Sequence, residues 1–342
     1  MYRYAAAIGV AMGPFILDVN SYELDGEERE LLAHPAVGGV IFFSRNYHDR
    51  GQLSALVKAI RAVKPGLLIT VDHEGGRVQR FRDGFFPLPA PGRLAQYSGS
   101  DKITLLQDAG WLMAAELSAH DIDLSFAPVL DLERGSEVIG DRSFGADPDA
   151  VINHARAYIQ GMHSAGMAAV AKHFPGHGSV RADSHKESPV DSRDFNDIAQ
   201  ADMVPFKTLI GEGLVQGMMP AHVIYSAVDA QPAGFSAFWL KQILRQQLGF
   251  NGLIFSDDLT MEGAAVAGSY AERAHCALQA GCDLLLACNH RAGAVEIIDA
   301  LPHDVQRDVS SLQSRNRAAG NDLYRSRRWQ EASERMRRLV DA

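Results

Sequence analysis

Eight short apolar runs recur along the chain at similar intervals, and each is followed by a longer stretch whose apolar positions repeat with helical period. The runs are Ala5–Val10, Gly39–Phe43, Leu67–Val71, Leu124–Val129, Ala168–Ala171, Gly217–Ala221, Leu253–Phe255 and Asp283–Ala287. They are continuously apolar rather than alternating, as parallel strands are when both faces are covered. Eight βα units are the number that closes a barrel, so the expected fold is α/β, a single (β/α)8 TIM-type barrel with a C-terminal helical extension. The length, 342 residues, admits one large barrel, and no Gly-, Ser- or Pro-rich linker divides it. Residues 1–300 are expected to form the barrel. Residues 301–342 are expected to add helices packed on its outside, within the same domain.

Several connecting helices carry start and stop signals. Asp147 followed by Pro148 reads as an N-cap and first helical residue, with Val151, Ala155, Tyr158, Ile159 and Met162 on one face and Gly166 closing the helix. Ser236 is expected to cap a second helix that runs to Gly249, and a third spans Ile103 to His120. After Leu301 the chain holds nine arginines and six acidic residues with Leu323, Trp329, Met336 and Leu339 between them, which reads as helix with a solvated basic face.

Charge and cysteine usage narrow the function classes. Lys and Arg number 33 against 42 acidic residues, a net charge of −9, so no global field draws the chain to nucleic acid or anionic lipid. Cys276, Cys282 and Cys288 are odd in number and lack paired CxxC spacing, which opposes a disulfide framework and a zinc site and points to a reducing, cytoplasmic compartment. The run from Ala5 to Leu17 after Arg3 is broken by Gly9, Gly13 and Pro14 and is read as part of the fold rather than as a signal segment. No run approaches the ~20 apolar residues of a membrane span. A monomer is the default expectation.

In a barrel of this kind chemistry sits where strands end, and the polar clusters of this chain follow the apolar runs. Asp72 to Arg80 follows the third run, and Asp131 and Gly140 to Phe144 follow the fourth. Lys172-His173-Phe174-Pro175-Gly176-His177-Gly178 and Asp183-Ser184-His185 follow the fifth, His222 the sixth, and Ser256-Asp257-Asp258 the seventh. Carboxylates, arginines and a Lys-His pair without a GxxxxGK or GxGxxG loop suit a neutral polyhydroxylated ligand held by bidentate hydrogen bonds, such as a sugar.

The stretch Lys172 to Gly178, then Asp183-Ser184-His185, then Phe255-Ser256-Asp257-Asp258-Leu259-Thr260-Met261 resembles the signatures of glycoside hydrolase family 3, closest to its single-domain bacterial β-N-acetylhexosaminidases. Asp72 to Arg80, Gly140 to Phe144 and Leu31 to Asn46 are similar too, so the resemblance covers about residues 8 to 290. It implies that Asp257 is the catalytic nucleophile and His185 the general acid/base with Asp183 as its partner. It further implies that Asp72, Arg80, Arg142, Lys172 and His173 bind a terminal N-acetylglucosamine. The implied reaction is retaining hydrolysis of peptidoglycan turnover fragments, with a muropeptide as substrate, no cofactor and no metal.

These roles have a physical basis. Asp257 and Asp258 are adjacent at a strand end and are expected to face opposite ways, so one of them addresses the barrel mouth. Histidine titrates near neutrality and can donate and reclaim a proton, and Asp183 two residues earlier can hold the imidazole of His185. Scaffold roles remain open for Arg142, through Asp131 or Asp141, and for Lys172, through a buried carboxylate. His177 and His222 read as supporting residues. The alternative to a glycosidase is a metal-dependent amidohydrolase-type barrel using His173, His177, His185 and His222. It is opposed by Val10-Ala11-Met12-Gly13, where such barrels place an HxH.

Overall fold

The computed structural model describes residues 11–180, 189–315 and 320–340. Eight parallel strands form one sheet: β1 (Phe15–Asp18), β2 (Val37–Phe42), β3 (Leu68–Val71), β4 (Leu124–Ser125), β5 (Val170–Phe174), β6 (Gly217–Pro220), β7 (Leu253–Asp258) and β8 (Leu284–Ala287). Their hydrogen-bonded order is β4-β3-β2-β1-β8-β7-β6-β5. The two ends of this ladder meet. Val129 bridges Lys172 in parallel, Val170 N–H donates to the Ala127 carbonyl at 2.8 Å and Leu130 N–H to the Lys172 carbonyl at 2.7 Å. The regular part of β4 stops short of the expected Val129: Ala127 N–H turns back to the Ser125 carbonyl at 2.8 Å, and Pro128 has no N–H to resume the ladder.

The continuous apolar runs resolve into two faces. Ile16, Ile41, Leu68, Val170, Phe255, Leu284 and Leu286 fill the barrel interior together with Leu124, Phe126 and Met219. Their strand neighbours Phe15, Leu17, Val40, Phe42, Ile69, Ala171, Ile254 and Leu285 face outward into the layer shared with the helices. Alternate side chains of one strand thus enter two cores, which is why the polar alternation of a half-exposed sheet is missing. Each such large side chain contributes about 1.5–3 kcal/mol by leaving water.

The first strand corrects the sequence reading. Ala5–Val10 lies outside the described residues, and the barrel strand is Phe15–Asp18, paired with Val37–Ile41 on one side and Leu285–Ala287 on the other. Just before it, Ala11–Met12 pairs antiparallel with Arg307–Asp308. Gly13 then passes so close beneath β2 that a Cβ there would lie 2.2 Å from the Ala36 carbonyl oxygen. Gly13, expected only to interrupt an apolar run, is where the chain enters the barrel.

The seven connections and the stretch after β8 carry helices α1 (Gly26–Ala33), α2 (Arg50–Val63), α3 (Lys102–Ala119), α4 (Pro148–Ser164), α5 (Val204–Gly211), α6 (Phe238–Gln247, wound with π geometry), α7 (Tyr270–Ala280) and α8 (Arg291–Ala300). The predicted caps are present: Asp147 accepts from Ala150 N–H at 2.9 Å, and Ser236 Oγ accepts from Trp239 N–H at 3.1 Å. Gly166 and Gly249 close their helices at positive φ. A final helix, α9 (Arg327–Val340), buries Ala332, Ser333, Met336 and Leu339. It is tied to α3 by Arg335 Nε to Asp108 Oδ2 at 2.7 Å and Trp329 Nε1–H to Glu116 Oε1 at 2.8 Å. Among the described residues no helix is long and apolar enough to cross a membrane.

Candidate active site

At the C-terminal ends of the strands the barrel opens into a cavity of about 770 Å3. Its floor is the top of the interior core, Ile41, Phe126, Met219 and Leu286, and its walls carry the strand-end clusters. Asp72, Arg80, Arg142, Lys172, His173 and Asp257 all border this one space. Six predicted site residues from four separate strand ends therefore converge. The other two, Asp183 and His185, lie outside the described residues.

One wall is a compact ionic group. Lys172 Nζ sits 2.8 Å from Asp72 Oδ1 and 2.7 Å from Glu74 Oε1, and the Arg142 guanidinium grips Glu74 through Nε and Nη2, both at 2.8 Å. Burial alone would raise the Glu74 carboxyl, but Arg142 and Lys172 outweigh it and hold the group well below the ordinary carboxylate range. The same contacts overcome burial at Lys172 and Arg142 and keep both charged. Arg80 approaches Asp72 Oδ2 at 3.7 Å and lies over the Phe43 ring at 5.6 Å.

Arg142 thus pairs with neither Asp131 nor Asp141, the partners considered from sequence. Asp141 instead meets Arg77 at 3.4 Å on the rim, where Arg77 also donates to the Val138 carbonyl. Glu74 is the residue that sequence reasoning passed over. Its signal was present, because in an extended stretch Asp72 and Glu74 lie two residues apart and share a face.

Asp131 organises the opposite wall. It is fully buried and accepts the His177 amide at 2.7 Å and the His173 amide at 3.2 Å, while His173 Nδ1 lies 2.6 Å from its Oδ2. Burial would raise its carboxyl, yet the two histidines and these hydrogen bonds keep it below its usual value. The Asp131 contact fixes the ring of His173 by Nδ1 and leaves Nε2 for a ligand. His222 is buried deeper, stacked on Phe235 at 5.3 Å with Nε2 3.2 Å from the Asp258 carbonyl, and burial lowers its pKa.

Asp257 and Asp258 both border the cavity, so the alternation expected of them is incomplete. They differ in their commitments. Asp258 Oδ1 accepts from Thr260 N–H at 2.9 Å, Thr260 Oγ1 at 2.8 Å and Cys288 N–H at 3.1 Å, and burial pushes its carboxyl up to about 6. Asp257 Oδ1 accepts the Asp258 amide at 2.8 Å. Asp258 is thereby turned toward β8 as a structural tie. Among the described residues no group of three His, Cys, Asp or Glu side chains is arranged to hold a metal ion.

Comparison with known proteins agrees with this architecture. The glycosyl hydrolase family 3 N-terminal domain matches residues 15–315. A β-hexosaminidase of Tolumonas auensis is 62% identical over 95% of this chain and 97% of that protein, and one of Vibrio cholerae is 54% identical over 96% and 99%. The crystal structure of NagZ from Neisseria gonorrhoeae in complex with N-trifluoroacetyl-D-glucosamine superposes with a TM-score of 0.89 at 42% identity, covering 97% of this chain and 99% of that one. An α/β barrel of this topology, a polar cavity at its strand ends and relatives of full length lead to one conclusion: the chain belongs to glycoside hydrolase family 3.

Proposed function

We propose that the enzyme is an exo-β-N-acetylglucosaminidase that removes non-reducing terminal N-acetylglucosamine from peptidoglycan turnover fragments, GlcNAc-1,6-anhydro-MurNAc peptides, in the cytoplasm. The observation that carries the reading is the convergence of Asp257 with Asp72, Arg80, Arg142, Lys172 and His173 on one cavity. The names of the similar proteins support it, as does the N-acetylated sugar analogue held by the Neisseria neighbour.

The donor inventory suits a sugar. Two of the three Lys172 ammonium protons go to Asp72 and Glu74. Three of the five Arg142 protons go to Glu74 and to the Val138 carbonyl, the latter at 3.3 Å. One ammonium and two guanidinium protons remain for hydroxyl or acetamido oxygens, and charge-assisted bonds of this kind contribute about 1.5–3 kcal/mol each. Asp72 accepts from hydroxyls in turn.

In the proposed reaction Asp257 attacks the anomeric carbon while His185, held by Asp183, protonates the leaving oxygen. His185 then takes a proton from water, whose oxygen attacks the glycosyl-enzyme and frees Asp257, giving net retention. The roles of His185 and Asp183 rest on the motif alone. Hydrolysis of an aryl β-N-acetylglucosaminide beside the aryl β-glucoside, with and without chelator, tests the reading. Cleavage of the acetamido sugar alone, unaffected by chelator, is expected. Activity that disappears with chelator would restore the metal-dependent alternative.

A further inference from the structure

His177 lines the cavity and is 3% exposed, yet among the described residues neither ring nitrogen has a hydrogen-bond partner. Buried polar atoms without partners are costly and rare, so each asks for an explanation. Loose placement does not explain this one. The His177 amide donates to Asp131 at 2.7 Å, the preceding Gly176 carbonyl accepts from Tyr225 Oη at 2.9 Å, and Gly176 adopts φ 137° with its Cα face against Asp202. The loop is thus pinned at three points and delivers to the cavity wall an imidazole that no described residue satisfies. Its ring centre lies 6.1 Å from that of His173, whose Nδ1 is committed to Asp131.

We infer that His177 is a further ligand-contacting residue of the active site, and that it hydrogen-bonds a hydroxyl, either of the bound sugar or of the attacking water. This deepens the proposed function and rests on it. Burial lowers the His177 pKa despite the nearby Asp131, so the ring is neutral at neutral pH and offers one donor and one acceptor. A hydroxyl can accept from the protonated ring nitrogen or donate to the bare one, whereas a carboxylate can only accept and an ammonium only donate. His177 and the proposed nucleophile Asp257 border the same cavity.

The two possible roles, ligand contact and internal support, move stability in opposite directions. His177→Phe keeps an aromatic ring, whose extra volume the adjoining cavity can take, and removes polar atoms without a partner among the described residues, so its urea midpoint without ligand is expected to equal or exceed that of the wild type. If the contact is to the sugar, its kcat/KM for an aryl β-N-acetylglucosaminide is expected to fall about 10- to 100-fold, the loss of one or two neutral hydrogen bonds; if it is to the attacking water, kcat falls by that factor while kcat/KM, set by the earlier glycosylation step, is unchanged. His177→Asn retains a donor and an acceptor and should recover part of that loss. Calorimetric titration with N-acetylglucosamine separates the sources. Weakened binding assigns the sugar hydroxyl, while unchanged binding with slower turnover of a dinitrophenyl glycoside assigns the water. A His177→Phe enzyme with wild-type activity and sugar affinity would overturn the inference, as would one that is destabilised in step with its activity. Wild-type inactivity on the acetamido glycoside would instead sink the substrate reading, a result visible before any variant is made.

Discussion

Replacing Glu74 by Gln tests whether the ionic wall is built as described. The side chain is 3% exposed and receives two Arg142 contacts at 2.8 Å and one from Lys172 at 2.7 Å. At an effective dielectric near 20, each unit-charge pair at such distances attracts by about 6 kcal/mol, giving about 12 kcal/mol for the two cations before the desolvation of each ion is subtracted. That subtraction leaves a small net gain for the intact group, but removing one partner strands the others in a buried site and costs about 3–5 kcal/mol. Glutamine keeps the shape, offers one oxygen where two were used, and turns an amide N–H₂ toward a cationic donor. The expected outcome is a loss of about 3–5 kcal/mol in urea unfolding. The expected kinetic effect, on the proposed reading, is a KM for an aryl β-N-acetylglucosaminide raised at least about 10-fold, since Arg142 and Lys172, which line the cavity, lose their alignment. A cost below about 1 kcal/mol with unchanged KM would refute the reasoning, because it would mean that Glu74 neither compensates nor orients the two cations.

Two further outcomes test the scaffold. Burial pushes the Glu116 carboxyl up to about 7, against the Phe86 amide and Trp329 indole that favour its charged form. Because this folded pKa exceeds the unfolded value of 4.5, the contribution is complete below pH 4.5 and is lost as pH rises through 7, up to about 3 kcal/mol. Urea midpoints at pH 5 and 8 should show the decline in the wild type and a flatter response in Glu116→Gln. Gly13→Ala would drive a Cβ to 2.2 Å from the Ala36 carbonyl oxygen. It should cost about 3 kcal/mol or more in urea unfolding, and a neutral result would show that the entry to β1 is not so constrained.

The fold was legible because its signals are local. Seven of the eight apolar runs overlap barrel strands, and the Asp147 and Ser236 caps sit where their side chains predicted. The first strand was misplaced because Gly13 and Pro14 look like breakers in one dimension. Only the approach to Ala36 shows that glycine is required there. The site was legible as a set of strand-end clusters, which brought six named residues to one cavity. Pairings across the cavity were not. Arg142 had Asp131 and Asp141 as nearer candidates in sequence, and its partner Glu74 is 68 residues away. That His177 finds no partner among the described residues is likewise a property of packing, invisible in a motif that reads as a supporting histidine.

The central claim is that Asp257 forms the covalent glycosyl-enzyme, and trapping with an activated 5-fluoro N-acetylglucosaminyl fluoride tests it most directly. Mass spectrometry of the digested protein should find one added sugar residue on the peptide that carries Asp257, and the Asp257→Ala enzyme should remain unmodified and inactive. Wild-type protein that turns over substrate without ever accumulating a label, or a label on any other residue, would contradict the account.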